Sequence, residues 1–175
     1  MSLSSPITPI YTINALKTWD THDGGGYQGN LLRDGKVVGR FHNDGNGGCT
    51  MVEFWKKEKG QVVRNRAEEE IFEAYVASLP EKEWPAEWDR TGEAKTYKPD
   101  VDTFIAELVE AFESLRNLKR HCAKKTLYLL KGDDSKDGWR TVKHPWCAKV
   151  KDYLTKKYGD QIKEIANETI GQELV

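Results

Sequence analysis

Residues 27–41 read YQGNLLRDGKVVGRF, and the fold is decided at their centre, Asp34-Gly35. Asp-Gly between two alternating apolar segments is a strong hairpin signal. A two-residue type I′ turn needs φ > 0 at both central positions, and these residue types tolerate it. The spacing predicts strands over 27–32 and 36–41, with Leu32 opposite Val37 and Leu31 opposite Val38. Outward on one side, residues 11–19 read as a first strand with Tyr11, Ile13 and Ala15 on one face. On the other side, Thr50 to Trp55 reads as a further strand. The whole N-terminal segment is therefore expected to be an antiparallel sheet.

Nine of the chain's 15 glycines lie between His22 and Cys49. They concentrate in two polar corners, His22-Asp23-Gly24-Gly25-Gly26 and Asn43-Asp44-Gly45-Asn46-Gly47-Gly48. Both corners hold more glycine than a turn requires. Glycine allows close backbone approach, and successive N–H groups in turns can form a nest for an anion. We therefore take His22, Asp23, Gly24, Gly25, Asn43, Asp44, Gly45, Asn46, Gly47 and Gly48 as a candidate ligand or partner surface. A plain set of tight β-turns accounts for the same residues. No GxxxxGK[ST] and no GxGxxG between strand and helix occurs, so neither common nucleotide fingerprint is met.

Beyond the sheet, the apolar spacing changes from two to three and four. Ile71, Phe72, Tyr75, Val76 and Leu79 predict a helix over 64–78, ended by Pro80. Residues 80–99 read as a loop carrying Trp84 and Trp88, which either anchor a partner or pin the loop. Val101, Phe104, Ile105, Leu108, Val109, Phe112, Leu115 and Leu118 form one stripe of a long helix over 100–124. A strand over 126–130, a turn over 132–138 and a returning strand over 139–142 come next. A helix opened by Pro145 is expected to run to Tyr158, with Gly159 as its stop, and a last helix over 161–170. The predicted class is α+β: an N-terminal antiparallel sheet with helices packed on one face, then a C-terminal β-hairpin and helices. Residues 1–10 are expected to be a flexible terminus and 11–175 a single domain.

The net charge of −1 conceals a division. Residues 66–113 carry 14 Asp/Glu against 5 Lys/Arg, and residues 116–157 carry 13 Lys/Arg against 4 Asp/Glu. Such segregation suits self-complementary packing or two faces with different partners. Within the basic part, Lys119, Arg120, Lys124 and Lys125 form a candidate phosphate grip. The same residues suit the negative C-terminal end of a helix dipole, or pairing with the acidic helix. A DNA-mimic role disagrees with the near-zero total. The first charged residue is Lys17, after a segment interrupted by Pro6 and Pro9, unlike a basic-then-apolar leader. No apolar run reaches the roughly 20 residues of a membrane span. With three cysteines, Cys49, Cys122 and Cys147, the expected setting is the reducing cytoplasm, with no membrane partner.

Other chemistries are weakly supported. Asp20, Asp23 and Asp44 fall short of the oxygen set that calcium takes. Four histidines and three cysteines contain no CxxC pair for zinc. Cys49 with His22 or His42 could act as a nucleophile and base, but a small buried cysteine at a strand start explains it as well. No catalytic residue, metal or cofactor is assigned, and the balance leans against an enzyme.

Two landmarks are similar to a family of small phage, prophage and plasmid proteins. One is Asp34-Gly35-Lys36 followed by Asn43-Asp44-Gly45-Asn46-Gly47-Gly48-Cys49. The other is Leu118-Lys119-Arg120 leading into Lys124-Lys125-Thr126-Leu127-Tyr128. The chain departs from that family at Asn46, where other members carry histidine. The resemblance implies a context: a mobile-element accessory protein inside a bacterial host. The leading expectation is a non-enzymatic protein that binds a host factor for counter-defence. The alternative is a protein, an enzyme included, that binds a nucleic acid or a nucleotide such as a signalling nucleotide, with its glycine-rich loops holding phosphate.

Overall fold

The computed structural model describes residues 11–83 and 95–172. Trp84 and Trp88, and the N-terminal ten residues, lie outside the described residues. Contacts group the chain into two compact units, one reaching Glu110 and the other beginning at Ala111.

The first unit is built on a five-stranded antiparallel meander in the order β1-β2-β3-β4-β5. Its strands are β1 Tyr11–Asp20, β2 Gly25–Arg33, β3 Lys36–Asn43, β4 Met51–Glu58 and β5 Gln61–Arg64. The β2–β3 turn is the expected one: Asp34 and Gly35 have φ of 50° and 73° and lie between paired Arg33 and Lys36. Leu32 faces Val37, but Leu31 faces Gly39, because the register slips by one at Val38. A second irregularity corrects the reading of β1. Ala15 takes φ 53°, and Ala15 with Leu16 occupies the space opposite Gly29. This bulge turns Ala15 to solvent and puts Leu16 in the core in its place.

One sheet face is apolar. Tyr11, Ile13, Leu31, Phe41 and Phe54 are buried on it. The helix α1, Arg66–Ser78, packs there, with the Phe72 ring 5.0 Å from Tyr11 and 5.3 Å from Phe54. Asn65 caps α1 through its side-chain oxygen and the Glu68 N–H. Ile71, expected in the stripe, is exposed, and Phe72 and Val76 alone are fully buried. Glu68 is buried as well, but satisfied: Arg33 donates to it at 2.6 Å and the Tyr11 hydroxyl at 3.2 Å. That burial beside a carboxylate pushes the Tyr11 phenol well above its ordinary pKa.

A short ladder, β6 Lys82–Glu83 with β7 Thr96–Tyr97, precedes the long helix α2, Val101–Cys122. Asp100 and Thr103 cap its start reciprocally: the Thr103 N–H donates to the Asp100 carboxylate, and the Asp100 N–H to the Thr103 hydroxyl, each at 2.8 Å. Phe104 reaches the Phe72 ring at 5.9 Å.

The second unit has a three-stranded antiparallel sheet in the order β10-β8-β9, from β8 Thr126–Leu130, β9 Arg140–Val142 and β10 Ile162–Ile165. All five residues of the central strand are buried. The helix α3, Ala148–Tyr158, covers one face, placing Val150 and Leu154 against Tyr128 and Leu130. It begins at Ala148, three residues after the expected opening at Pro145, and ends at Tyr158 with Gly159 as its cap, as read from the sequence. The expected final helix over 161–170 is instead β10 followed by α4, Ala166–Gln172. Ile162 and Ile165, three apart, are spaced for a helix; in the strand a register shift between Ile162 and Glu164 brings them opposite Leu130 and Tyr128, on one face. The architecture is α+β, as expected.

Candidate functional site

The two glycine-rich corners lie at the same end of the first sheet, one joining β1 to β2 and the other β3 to β4, and they touch. Thr21 forms the joint. Its hydroxyl lies 2.8 Å from the Gly24 carbonyl and 2.6 Å from the Gly45 carbonyl, within donating range of both, and its own N–H donates to Gly24 at 2.7 Å. Gly45 has φ 77°, and a Cβ there would lie 2.6 Å from the Gly26 nitrogen and 2.8 Å from the Gly25 carbonyl carbon. No other residue type allows this approach.

The 43–50 corner is also braced from within. Asn43 accepts the Gly45 N–H at 2.8 Å and donates to the Gly48 carbonyl at 3.2 Å. Asp44 accepts the Asn46 N–H at 3.1 Å. Thr50 closes the loop: its hydroxyl meets those of Tyr27 at 2.7 Å and the Asn43 amide at 3.3 Å, and its N–H donates to Asp102 in the first turn of α2. Much of the donor capacity is therefore used internally. His22, Asp23, Gly24, Gly25, Asp44, Asn46, Gly47, Gly48 and Cys49 are exposed, and the N–H groups of Gly47 and Gly48 have no partner among the described residues. Of the ten residues expected to form this surface, all lie in the two joined corners. Asn43 and Gly45 serve mainly to hold it together.

Cys49 is exposed rather than buried, and it makes no hydrogen bond to His22 or His42. Among the described residues no cluster of three or more His, Cys, Asp or Glu side chains is arranged to hold a metal. No helix among them is long and apolar enough to cross a membrane.

The basic segment lies in the second unit. Lys119 and Arg120 are in the last turns of α2, and the Lys124 and Lys125 N–H groups both donate to the His121 carbonyl at its end. None of the four side chains joins an ion pair among the described residues. Lys119 and Arg120 rim a shallow apolar trough of about 410 Å³ floored by Phe112 and Leu115. The dipole-end reading accounts for the position of Lys119 and Arg120, and none of the four is paired with an acidic side chain among the described residues.

Sequence reasoning missed the outer face of the first sheet, opposite α1. It carries Trp19, His42, Met51 and Trp55 from three strands. Trp19 lies flat over Gly26, where a Cβ would come within 2.2 Å of the indole, and its ring sits 6.1 Å from His42. The Arg40 guanidinium stacks over Trp55 at 5.3 Å. Two shallow hollows run together along this face, one of about 460 Å³ with Gln28, Asn30 and His42, the other of about 690 Å³ with Trp55 and Val62; Arg40, Met51 and Glu53 line both. The signal was available: in Phe54-Trp55 two adjacent aromatic residues in a strand must point to opposite faces. No family model, curated protein or solved structure matches this chain.

Proposed function

We propose that this chain is a non-catalytic accessory protein of the phage and plasmid kind, which binds a host factor on the joined corners around Thr21 and serves in counter-defence. The observation that carries the reading is the Thr21 joint. It makes one surface of two loops and pins Gly45 against Gly25 and Gly26. A braced, exposed loop pair loses little conformational entropy on docking, which favours recognition. The mobile-element context comes from the resemblance carried by Asp34-Gly35-Lys36 and the 43–49 loop.

The test is a pull-down from a bacterial host with the tagged chain, followed by reconstitution with the purified partner. Asp23→Lys and Gly48→Arg change the exposed corner without touching the joint, since a Cβ at Gly48 would meet only Asp44 Oδ1, at 3.8 Å, and Gly48 is not in the left-handed region. Each is expected to weaken binding at least about tenfold, the scale of a lost interface hot spot. A partner held equally well by both variants removes the corner as the docking surface.

A second reading, nucleotide binding at the same corner, is favoured by the two unpartnered glycine N–H groups. Thermal shift against a nucleotide panel tests it. Stabilisation lost in Gly48→Arg supports this reading, and no stabilisation across the panel ends it.

A further inference from the structure

We propose that the outer face of the five-stranded sheet is a binding platform for single-stranded nucleic acid, with bases stacked on its aromatic side chains. This rests on the sheet face and not on the corner, so it stands or falls apart from the host-factor reading.

The aromatic groups form two stations. Trp19 and His42 make the first, their planes 34° apart and held flat by the absence of a side chain at Gly26. Trp55 under Arg40 makes the second. His42 faces Met51, and Trp55 follows four residues later on the same strand and the same face, about 13 Å along. A strand of a few nucleotides spans that interval. Met51, 63% exposed, lies beside His42 at the first station, and Val62, 66% exposed, faces Lys57 just beyond the second, with Glu53 opposite Arg40 between them. The face thus offers exposed apolar side chains beside both aromatic stations.

The charge chooses the occupant. Register places Lys17, Arg40, Lys57 and Arg64 on this face, with Glu53 opposite Arg40 and Glu69 paired to Arg64. The excess is cationic and suits a phosphodiester backbone. Gln28, opposite both Lys17 and His42, and Asn30, whose amide donates to Asn14 at 2.9 Å, put amide groups in the hollow between the strands, where base edges would lie. Stacking planes, flanking cations and amide groups on a rigid sheet match how unpaired strands are held, since every base offers a π-face. A duplex keeps its bases stacked on each other and cannot use these planes.

Fluorescence anisotropy of a labelled twelve-nucleotide oligothymidylate and oligouridylate, titrated with the full chain at 50 mM salt, tests the proposal. Three comparisons accompany it: a duplex, an abasic phosphodiester strand of equal charge, and the variants Trp55→Ala and Met51→Glu. Saturable binding is expected to the single strands, weaker by at least about tenfold for the duplex and the abasic strand. Trp55→Ala is expected to weaken it about 5- to 100-fold, the range of one lost base stack. Trp55 is half-buried, so Met51→Glu provides the variant that keeps the fold; it sets a carboxylate beside His42 at the first station and is expected to abolish binding. Circular dichroism verifies both folds. The proposal is overturned by no anisotropy change up to about 100 μM protein, by equal binding of the abasic strand, or by Met51→Glu binding like the parent. It is also overturned if light scattering finds a dimer that Met51→Glu dissolves while no oligonucleotide binds, for then a second copy covers the face.

Discussion

Asn167 shows how much one amide can hold. Its oxygen accepts the Leu127 N–H at 2.9 Å, and its nitrogen donates to the Cys122 and Lys125 carbonyls, each at 2.9 Å. One side chain thus completes the end of α2, the turn after it and the start of β8. Asn167→Ala loses three hydrogen bonds and is expected to cost about 2 kcal/mol in urea unfolding. Asn167→Asp is the sharper test. It keeps the shape but turns a carboxylate oxygen toward two carbonyls, so it should cost at least as much at neutral pH. If Asn167→Asp unfolds at the parent's urea midpoint, the bridging role is wrong. Nothing in the sequence marked this residue, because its three partners lie 40 to 45 positions away.

Elements with a local signal were legible. The Asp34-Gly35 turn carries its own chemistry, and α2 its apolar stripe. The Asp100 cap at the start of α2 is where that helix meets pH. Thr103 holds the Asp100 carboxyl below its ordinary pKa, through its N–H first and its hydroxyl second. The folded state therefore binds this proton less tightly than the unfolded state does. The stabilisation is full above the unfolded value near pH 4 and is lost as the pH falls through the lower folded value. Asp100→Asn keeps a capping oxygen without the charge, so its stability should fall less steeply between pH 5 and pH 2.5. Asp133 contributes to the slope that remains, since Arg140 holds its carboxyl at about 2. An unchanged slope in Asp100→Asn would deny the cap its titration. Other elements were illegible for definable reasons. β5 follows a turn at Lys59-Gly60 with φ of 49° and 83°, and lysine in the first place is not a turn signal. β10 hides because the apolar spacing of Ile-Lys-Glu-Ile is a helix's, and only the bulge after Ile162 puts both isoleucines on one strand face. Half of the candidate site was likewise visible, because the corners announce themselves by glycine. The Thr21 joint and the outer aromatic face depend on register, which the bulge at Ala15 and the slip at Val38 had already changed.

At the scale of the molecule, the division in charge falls close to the division into two compact units, although the sequence reads as a single domain over 11–175. The sequence passes from acidic to basic between Glu113 and Arg116, within six residues of the boundary between the two compact units. The glycine-rich corner and the aromatic face both belong to the first unit, and the cations of 119–125 to the second. An open meander also has two free margins, and a β-strand at a margin can recruit another chain to grow a fibril. β5 is only four residues long and ends in Arg64. β1 is ten residues long, and the kink at Ala15 is what keeps its outer N–H and C=O groups out of line. Deleting Ala15 leaves every core side chain on its own side, with Leu16 moving into step. The variant should fold yet convert to thioflavin-binding fibres faster than the parent on agitation. Equal lag times would mean that something else protects that margin. The extra residue that upset the reading of β1 is thus a safeguard: it holds the sheet at five strands, so that its broad face stays available while its rim cannot act as a seed.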